Sequence, residues 1–222
     1  MDFDRQRARM VERQLRRRGI ADERVLEAMG AVPRELFVPE PARAHAYRDG
    51  ALAIGHEQTI SQPWVAAAIC EALELTGEEA VLEIGTGSGY SACVLSRLAG
   101  EVTTVELVGE LAARARQALE RVGARNVTVL AADGSGGVEG GALFDAIAVH
   151  AAAPRPPAGL LAQLAPGGVL VAPIAEGGTD MLTAFRSPRD GGPVERTRIA
   201  PCRFVPLLGS EGYPSHRLSG AQ

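Results

Sequence analysis

The hydrophobic pattern is clearest in the middle of the chain, where short apolar runs alternate with segments of helical periodicity. Apolar runs between turn residues predict buried strands at 80–84, 101–105, 127–131, 144–149 and 169–173. Apolar spacings of three and four predict helices at 90–99, about 109–122 and 156–164. This strict alternation is typical of a parallel, doubly wound sheet with right-handed crossovers.

The pattern changes before this core. Residues 1–31 predict two helices separated at Gly19, with Asp22 at the N-cap of the second, and a third helix is predicted from 62 to 75. Residues 33–63 contain few periodic apolar positions and are predicted to be irregular. Loops of that length inside a compact domain are usually functional.

After the core, the pattern favours antiparallel strands. Residues 181–186 and 196–199 flank a turn-rich segment and predict a hairpin. A final short strand is predicted at 204–208, followed by a frayed tail. The predicted fold class is therefore α/β: a doubly wound, Rossmann-like, mostly parallel seven-stranded sheet with an antiparallel C-terminal hairpin and extra N-terminal helices.

Composition indicates an ordinary soluble protein. The chain has 222 residues, enough for one well-buried α/β domain and few for two. A formal charge of -4 and 46% hydrophobic residues disfavour a nucleic-acid partner and a disordered chain. No apolar run approaches the roughly 18 residues of a membrane span, and the charged start is unlike a secretory signal. We expect no membrane partner and a cytoplasmic location.

The residue types present exclude or disfavour several kinds of catalytic and metal site. Every basic residue is Arg, so a Schiff-base lysine and a phosphate-loop lysine are excluded. Cys70, Cys93 and Cys202 are odd in number and far apart, which favours packing roles over disulfides or a zinc site. His56 and Glu57 have no further ligand at metal spacing, so no metal site is predicted. No G-x-S-x-G elbow indicates a serine triad.

The strongest local motif is the glycine turn after the strand at 80–84. Gly85, Gly87 and Gly89 let the backbone turn tightly and approach a ligand, as in a nucleotide-binding βαβ unit. The turn alone does not name a cofactor. Counted from Gly85 it is G-x-G-x-G, whereas counted from Gly87 it fits the dinucleotide pattern G-x-G-x-x-A. The end of the strand at Ile84 favours the first register.

Polar residues lie at the ends of the predicted strands. Glu106 ends the second core strand, where an acid can accept hydrogen bonds from ribose hydroxyls. Asp133, followed by Gly134, is expected either to bind an adenine amino group or to form an Asx turn. His150 leaves the fourth strand and is expected to face the ligand. Ser61 precedes a predicted helix, where residue chemistry alone favours an N-cap over a catalytic group.

Motifs along about residues 5 to 208 together resemble the protein-L-isoaspartate O-methyltransferase family, in the family's order. The matching segments are 47–55, 58–63, 81–90, 126–127, 133–134, 144–145, 151–154, 163–164 and 204–207. The resemblance implies S-adenosyl-L-methionine as methyl donor and S-adenosyl-L-homocysteine as product. As acceptor it implies the free α-carboxylate of L-isoaspartyl residues in damaged peptides and proteins, whose methylation starts repair through a succinimide. A monomer is expected.

The resemblance also implies roles for residues, and none of these is a metal ligand. It makes Ser61 the catalytic-site residue, in a segment that closes over the site. The cofactor-binding set is Thr59, Ile60, Gly85, Thr86, Gly87, Ser88, Gly89, Glu106, Leu107, Asp133, Gly134 and His150. The substrate-binding set is Ile54, Gly55, His56, Gln58, Val205, Pro206 and Leu207.

These roles divide the single domain predicted over 1–222. Residues 1–78 hold the N-terminal helices and the active-site loop, and residues 79–174 hold the cofactor-binding core. Residues 175–210 hold the C-terminal hairpin and the substrate strand, and 211–222 form the tail.

Three positions depart from the family pattern: Ala53 replaces Pro, Glu57 replaces a small residue and His150 replaces Thr. A carboxylate at Glu57 should repel a carboxylate substrate unless it points away or pairs with Arg. A related O-methyltransferase for a dedicated peptide or small-molecule carboxylate therefore stays open. An NAD-dependent dehydrogenase and a non-catalytic cofactor-binding domain are the further alternatives.

Overall fold

A computed structural model describes residues 1–214, so only the first four residues of the predicted tail fall within it. The α-helices described are α1 (Phe3–Met10), α2 (Glu23–Ala31), α3 (Pro63–Ala72), α4 (Tyr90–Leu95), α5 (Gly109–Val122) and α6 (Ala158–Ala162). The strands are β1 (Leu52–Gly55), β2 (Gln58–Ile60), β3 (Ala80–Ile84), β4 (Glu101–Glu106), β5 (Val127–Ala131), β6 (Phe144–Val149), β7 (Leu164–Glu176), β8 (Thr179–Arg186) and β9 (Glu195–Cys202).

Seven of these strands form one sheet in the order β5-β4-β3-β6-β7-β8-β9. The pairs from β5 to β7 are parallel, whereas β7–β8 and β8–β9 are antiparallel. Leu82, Ile147 and Val171 on the central strands are fully buried, as expected where helices cover both faces. The predicted fold class is confirmed. Because the strand order reverses between β3 and β6, the carboxyl ends of β3, β4 and β6 border one crevice.

The N-terminal helices also follow the sequence pattern. Helix α1 continues through a π-helical turn and a 3₁₀ turn, and the segment ends at Gly19 with a φ of 96°, a left-handed C-cap. The Asp22 side chain accepts hydrogen bonds from two backbone N–H groups in the first turn of α2. The predicted break and N-cap are confirmed.

The prediction that residues 33–63 are irregular is wrong in part. Two 3₁₀ turns, Arg34–Phe37 and Glu40–His45, precede the antiparallel hairpin β1–β2. The hairpin turns at His56 and Glu57, whose φ angles are 52° and 58°. A two-residue turn with two positive φ angles is normally marked by Asn-Gly or Asp-Gly. His-Glu carries no such signal, so the sequence pattern did not reveal the hairpin.

Ser61 does not cap the following helix. Helix α3 begins at Pro63 with Gln62 at the N-cap position, and no side chain caps it. Proline suits the first helical position because its missing N–H would have had no helical partner. The Ser61 hydroxyl is therefore left for another role.

The predicted strand at 204–208 is also wrong. Instead of a strand, this segment forms two isolated parallel bridges, Ala152–Pro206 and Leu208–Tyr213. Backbone hydrogen bonds of 2.8 Å join Ala152 N–H to the Val205 carbonyl and Leu207 N–H to the Ala152 carbonyl. The segment is thus tied to the loop after β6, beside the crevice.

None of the helices within residues 1–214 has the length and apolar character needed to cross a bilayer. The same residues hold no cluster of three or more His, Cys, Asp or Glu side chains suited to a metal ion. All three cysteines are free, and burial raises the pKa of the Cys70 thiol to about 12 and those of Cys93 and Cys202 to about 11. Their low thiolate content fits packing roles.

Glu79 is expected to contribute stability that is lost in acid. Partial burial raises its pKa, but hydrogen bonds from the Thr76 hydroxyl and from backbone N–H groups outweigh this and lower the pKa to about 2. A depressed folded-state pKa stabilises above the ordinary value of 4.5, and this contribution disappears as the pH falls from 4.5 towards 2. Because the group is largely solvated, we expect less than about 1 kcal/mol.

Urea unfolding of Glu79→Gln and wild type at pH 7 and pH 3 measures this effect. The difference in free energy of unfolding between the two proteins should shrink at pH 3. Glu78→Gln, on the exposed neighbour, serves as the matched control. A difference that stays constant with pH would contradict the assignment.

Candidate active site

The glycine turn follows β3 directly and fills a tight space at the crevice. Gly85, Gly87 and Gly89 have φ angles of 92°, 53° and 86°. Residues that carry a Cβ rarely adopt such positive angles, whereas glycine does so readily. A Cβ at Gly85 would lie 3.5 Å from the Cβ of His150, and one at Gly89 would lie 3.3 Å from the Cβ of Ala115 on α5. The register that starts at Gly85 therefore matches the backbone.

Glu106 ends β4 beside this turn and is almost fully buried. Its Oε2 accepts a hydrogen bond of 2.7 Å from Gly87 N–H, and its Oε1 accepts one of 2.9 Å from Val108 N–H. One carboxylate thus fixes the glycine turn relative to the loop before α5. Each oxygen retains lone-pair capacity to accept a further hydrogen bond from a ligand hydroxyl.

A cavity occupies the crevice between the glycine turn, the hairpin and the 204–208 segment. The predicted site residues that line it are Gln58, Thr59, Ile60, Ser61, Gly85, Thr86, Gly87, Ser88, Glu106, Leu107, Gly134, His150, Val205, Pro206 and Leu207. Sequence reasoning missed Ile84, Ser91, Val105, Val108, Ser135, Ala151 and Leu208 in the same wall. Most of these carry no distinctive chemistry, and their position next to strand ends was the available signal.

Asp133 makes an Asx turn, one of the two expected roles. Its Oδ1 accepts a hydrogen bond of 2.9 Å from Ser135 N–H, and its Oδ2 accepts one of 2.7 Å from Ser210 N–H. Partial burial raises the pKa of Asp133, but these hydrogen bonds outweigh it and lower the pKa on balance. The carboxylate therefore anchors the segment that carries Val205 and Leu207, and it lies outside the cavity wall.

The outer part of the hairpin contacts α5 instead of lining the cavity. Ile54 lies against the glycine turn, with its Cδ1 3.4 Å from where a Cβ of Gly87 would be. His56 Nε2 lies 3.0 Å from Glu110 Oε2 on α5. His56 does not line this cavity, and its role in substrate binding stays a prediction. Glu57 is exposed at the hairpin tip and does not line the cavity. Gly55 and Gly89 also lie outside that wall.

A second cavity adjoins the first on the side of α3. Its wall consists of Arg18, Ala51, Thr59, Ser61, Gln62, Trp64, Val65, His150, Pro201, Cys202, Arg203, Phe204 and Val205. Thr59, Ser61, His150 and Val205 belong to both walls. Within residues 1–214 the Ser61 hydroxyl has no hydrogen-bond partner. A free hydroxyl therefore lies at the boundary where the contents of the two cavities would meet.

A buried polar chain runs beneath the glycine turn, and the sequence reasoning overlooked it. His150 Nε2 lies 3.2 Å from Oε1 of the fully buried Glu83. Thr104 donates to Glu83 Oε2 at 2.5 Å, and the Thr86 and Thr104 hydroxyl oxygens are 2.6 Å apart. The Thr104 hydroxyl has one proton and donates it to Glu83, so in the second hydrogen bond the Thr86 hydroxyl is the donor. The sequence signal for these buried polar contacts was Glu83, an acidic residue within an apolar strand.

Comparison with known proteins identifies the family to which the chain is similar. The family model for protein-L-isoaspartate(D-aspartate) O-methyltransferase (PCMT) matches residues 5–212. The protein-L-isoaspartate O-methyltransferase 1 of Rhodopseudomonas palustris is 50% identical over 96% of this chain and 87% of its own. The protein-L-isoaspartate O-methyltransferase of Geobacter metallireducens is 49% identical over 96% and 98%.

Solved structures agree with the sequence comparison. One is a Plasmodium falciparum protein named as a protein-L-isoaspartate O-methyltransferase, in complex with S-adenosyl-L-homocysteine. It superposes with a TM-score of 0.78 at 26% identity, covering 91% of this chain and 98% of its own. A second protein-L-isoaspartate O-methyltransferase superposes at 0.80 and 28% identity, over 92% of this chain and 66% of its own. The chain belongs to the protein-L-isoaspartate(D-aspartate) O-methyltransferase family.

Proposed function

We propose that this chain transfers a methyl group from S-adenosyl-L-methionine to the free α-carboxylate of L-isoaspartyl residues in damaged proteins and peptides. Family membership supports this activity, and so does the S-adenosyl-L-homocysteine in the Plasmodium falciparum structure. The structural observation that carries the proposal is the free Ser61 hydroxyl in the shared wall of two adjoining cavities. A donor in one cavity and an acceptor in the other would meet there.

The first cavity fits the cofactor. Its glycine turn presents backbone without side chains at Gly85 and Gly87, and Ser88, Glu106 and Ser135 supply polar groups. Glu106 would accept hydrogen bonds from ribose hydroxyls, and Leu107 and Gly134 would line the rest. When bound, S-adenosyl-L-methionine supplies an electrophilic methyl group on a sulfonium sulfur.

The acceptor needs positioning more than activation. An α-carboxyl group has a reference pKa of about 3.5 and is ionised at pH 7, so no general base has to remove a proton. Ser61 would donate its hydroxyl hydrogen to one carboxylate oxygen and hold the other in line with the methyl group. Positioning of this kind can lower a barrier by about 7–11 kcal/mol.

Ser61→Ala is expected to lower kcat for an isoaspartyl peptide by about 10- to 100-fold, since one hydrogen bond to a charged group contributes about 1.5–3 kcal/mol. Affinity for S-adenosyl-L-homocysteine should change by less than about threefold, because the proposed partner of the hydroxyl is the acceptor carboxylate. Transfer of a labelled methyl group under saturating cofactor measures kcat. Ser96→Ala, whose hydroxyl bonds the Cys93 carbonyl away from the cavities, is the control. Unchanged kcat in Ser61→Ala would remove Ser61 from the mechanism.

Methyl transfer to an isoaspartyl peptide, with the matched aspartyl peptide beside it, tests the function itself. The isoaspartyl peptide alone should be labelled. Equal labelling would contradict the repair activity, and labelling of neither would favour a dedicated carboxylate substrate or a non-catalytic binding domain. Binding of NAD in place of S-adenosyl-L-methionine would indicate the dehydrogenase. The monomeric state and the cytoplasmic location stay predictions.

A further inference from the structure

Arg34 is a cation buried completely beside the candidate site. It lies in the 3₁₀ turn Arg34–Phe37, and its side chain has no exposed surface. Among the described residues no carboxylate forms a salt bridge with it, and the neighbouring Glu35 accepts a hydrogen bond from Tyr47 instead. A buried charge is costly unless other polar groups compensate it. The compensation at Arg34 comes from two backbone carbonyls and one aromatic ring, whereas its Nη1 has no hydrogen-bond partner among residues 1–214.

The contacts of Arg34 connect three parts of the molecule. Its Nε donates a hydrogen bond of 2.8 Å to the Ala46 carbonyl, before the hairpin, and its Nη2 donates one of 2.6 Å to the Ser61 carbonyl, after the hairpin. The guanidinium carbon lies 4.7 Å from the ring centroid of Tyr90, the first residue of α4. The guanidinium thus ties both ends of the hairpin segment to the helix that follows the glycine turn.

We propose that Arg34 is the positioning residue for Ser61 in methyl transfer. It holds the backbone of Ser61 at a set distance from α4, and therefore from the cavity that would contain the methyl donor. This inference rests on the proposed function. Arginine suits this role because its planar guanidinium can donate hydrogen bonds to two carbonyls while its face stacks on an aromatic ring. The ammonium group of a lysine cannot make these three contacts at once.

The conservative variant Arg34→Lys separates geometry from charge. Arg24 offers a matched control, since it also donates to two backbone carbonyls, those of Leu75 and Leu98, and does not line either cavity. We expect Arg34→Lys to lower kcat for the isoaspartyl peptide by about 10²-fold, the loss that a small misplacement of reacting groups causes. KM and the affinity for S-adenosyl-L-homocysteine should change by less than about threefold. Arg24→Lys should keep kcat close to wild type.

Equal kcat in Arg34→Lys and Arg24→Lys would overturn the inference, because a general loss of stability would then explain both variants. A second readout does not depend on turnover. Amide hydrogen exchange of residues 58–62 should become faster in Arg34→Lys and not in Arg24→Lys. If wild type fails to methylate the peptide while this difference is observed, the proposed function fails and the structural part of the inference stands. Unchanged exchange overturns it.

Wild-type protein supplies a measurement in case Arg34→Lys does not fold. In ¹⁵N-arginine NMR spectra, the Arg34 guanidinium should show separate, slowly exchanging Nη signals, because two of its nitrogens are hydrogen-bonded in a buried site. The exposed Arg13, which has no salt bridge among residues 1–214, serves as the internal reference for rapid exchange and rotation. Rapid exchange at Arg34 would show that the guanidinium is not held, and would overturn the inference.

Discussion

Glu106→Ala is expected to weaken binding of S-adenosyl-L-homocysteine by about 10²- to 10⁴-fold. The substitution removes both hydrogen bonds that hold the glycine turn and the loop before α5, to Gly87 N–H and Val108 N–H. It also removes the proposed acceptor for the ribose hydroxyls. Hydrogen bonds to a charged group contribute about 1.5–3 kcal/mol each, so the loss of two hydrogen bonds from ribose hydroxyls to this carboxylate gives this range. Titration calorimetry measures the dissociation constant.

Two further variants identify the cause of that loss. Glu106→Gln keeps the shape but offers one acceptor oxygen, and its amide N–H₂ would face the second backbone N–H, so an intermediate affinity is expected. Glu101→Ala, at the exposed start of the same strand, should bind as wild type does. A dissociation constant for Glu106→Ala within threefold of wild type would refute the role of this carboxylate.

Gly89→Val should lower the free energy of unfolding by about 2–5 kcal/mol. A residue other than glycine in the left-handed region costs about 1–2 kcal/mol, and the φ of Gly89 is 86°. The new side chain would also meet α5, because even a Cβ lies 3.3 Å from Ala115 and 3.4 Å from Leu119. Overpacking of this kind adds about 1–3 kcal/mol. Urea unfolding at neutral pH measures the change.

Gly123→Val separates the two contributions. Gly123 ends α5 with a φ of 74°, and a Cβ there would have no neighbour within 4 Å. It should therefore show only the backbone cost, about 1–2 kcal/mol. Equal destabilisation of the two variants would mean that the packing of the glycine turn on α5 contributes nothing.

Local signals predicted some parts of the molecule well. Helix α5 and strands β5 and β6 have the predicted bounds, because each is a periodic or apolar run that ends at turn residues or glycine. The place of Glu106 followed from its position at a strand end. The hydrogen-bond partners of the Asp133 carboxylate could be identified only from the structure. One of them is the N–H of Ser210, which is 77 residues away in the chain.

The sequence by itself determined the parallel sheet, the glycine turn and the family resemblance, since these depend on residue type and on spacing within short segments. Only the tertiary structure decided the surroundings of Ser61. The hairpin turn at His56 and Glu57 lacked its usual residues, and the partners of Arg34 are carbonyls 12 and 27 residues further along the chain. Backbone carbonyls have no sequence signature, because every residue carries one. The position of the Ser61 hydroxyl between two cavities is therefore a property of the folded chain.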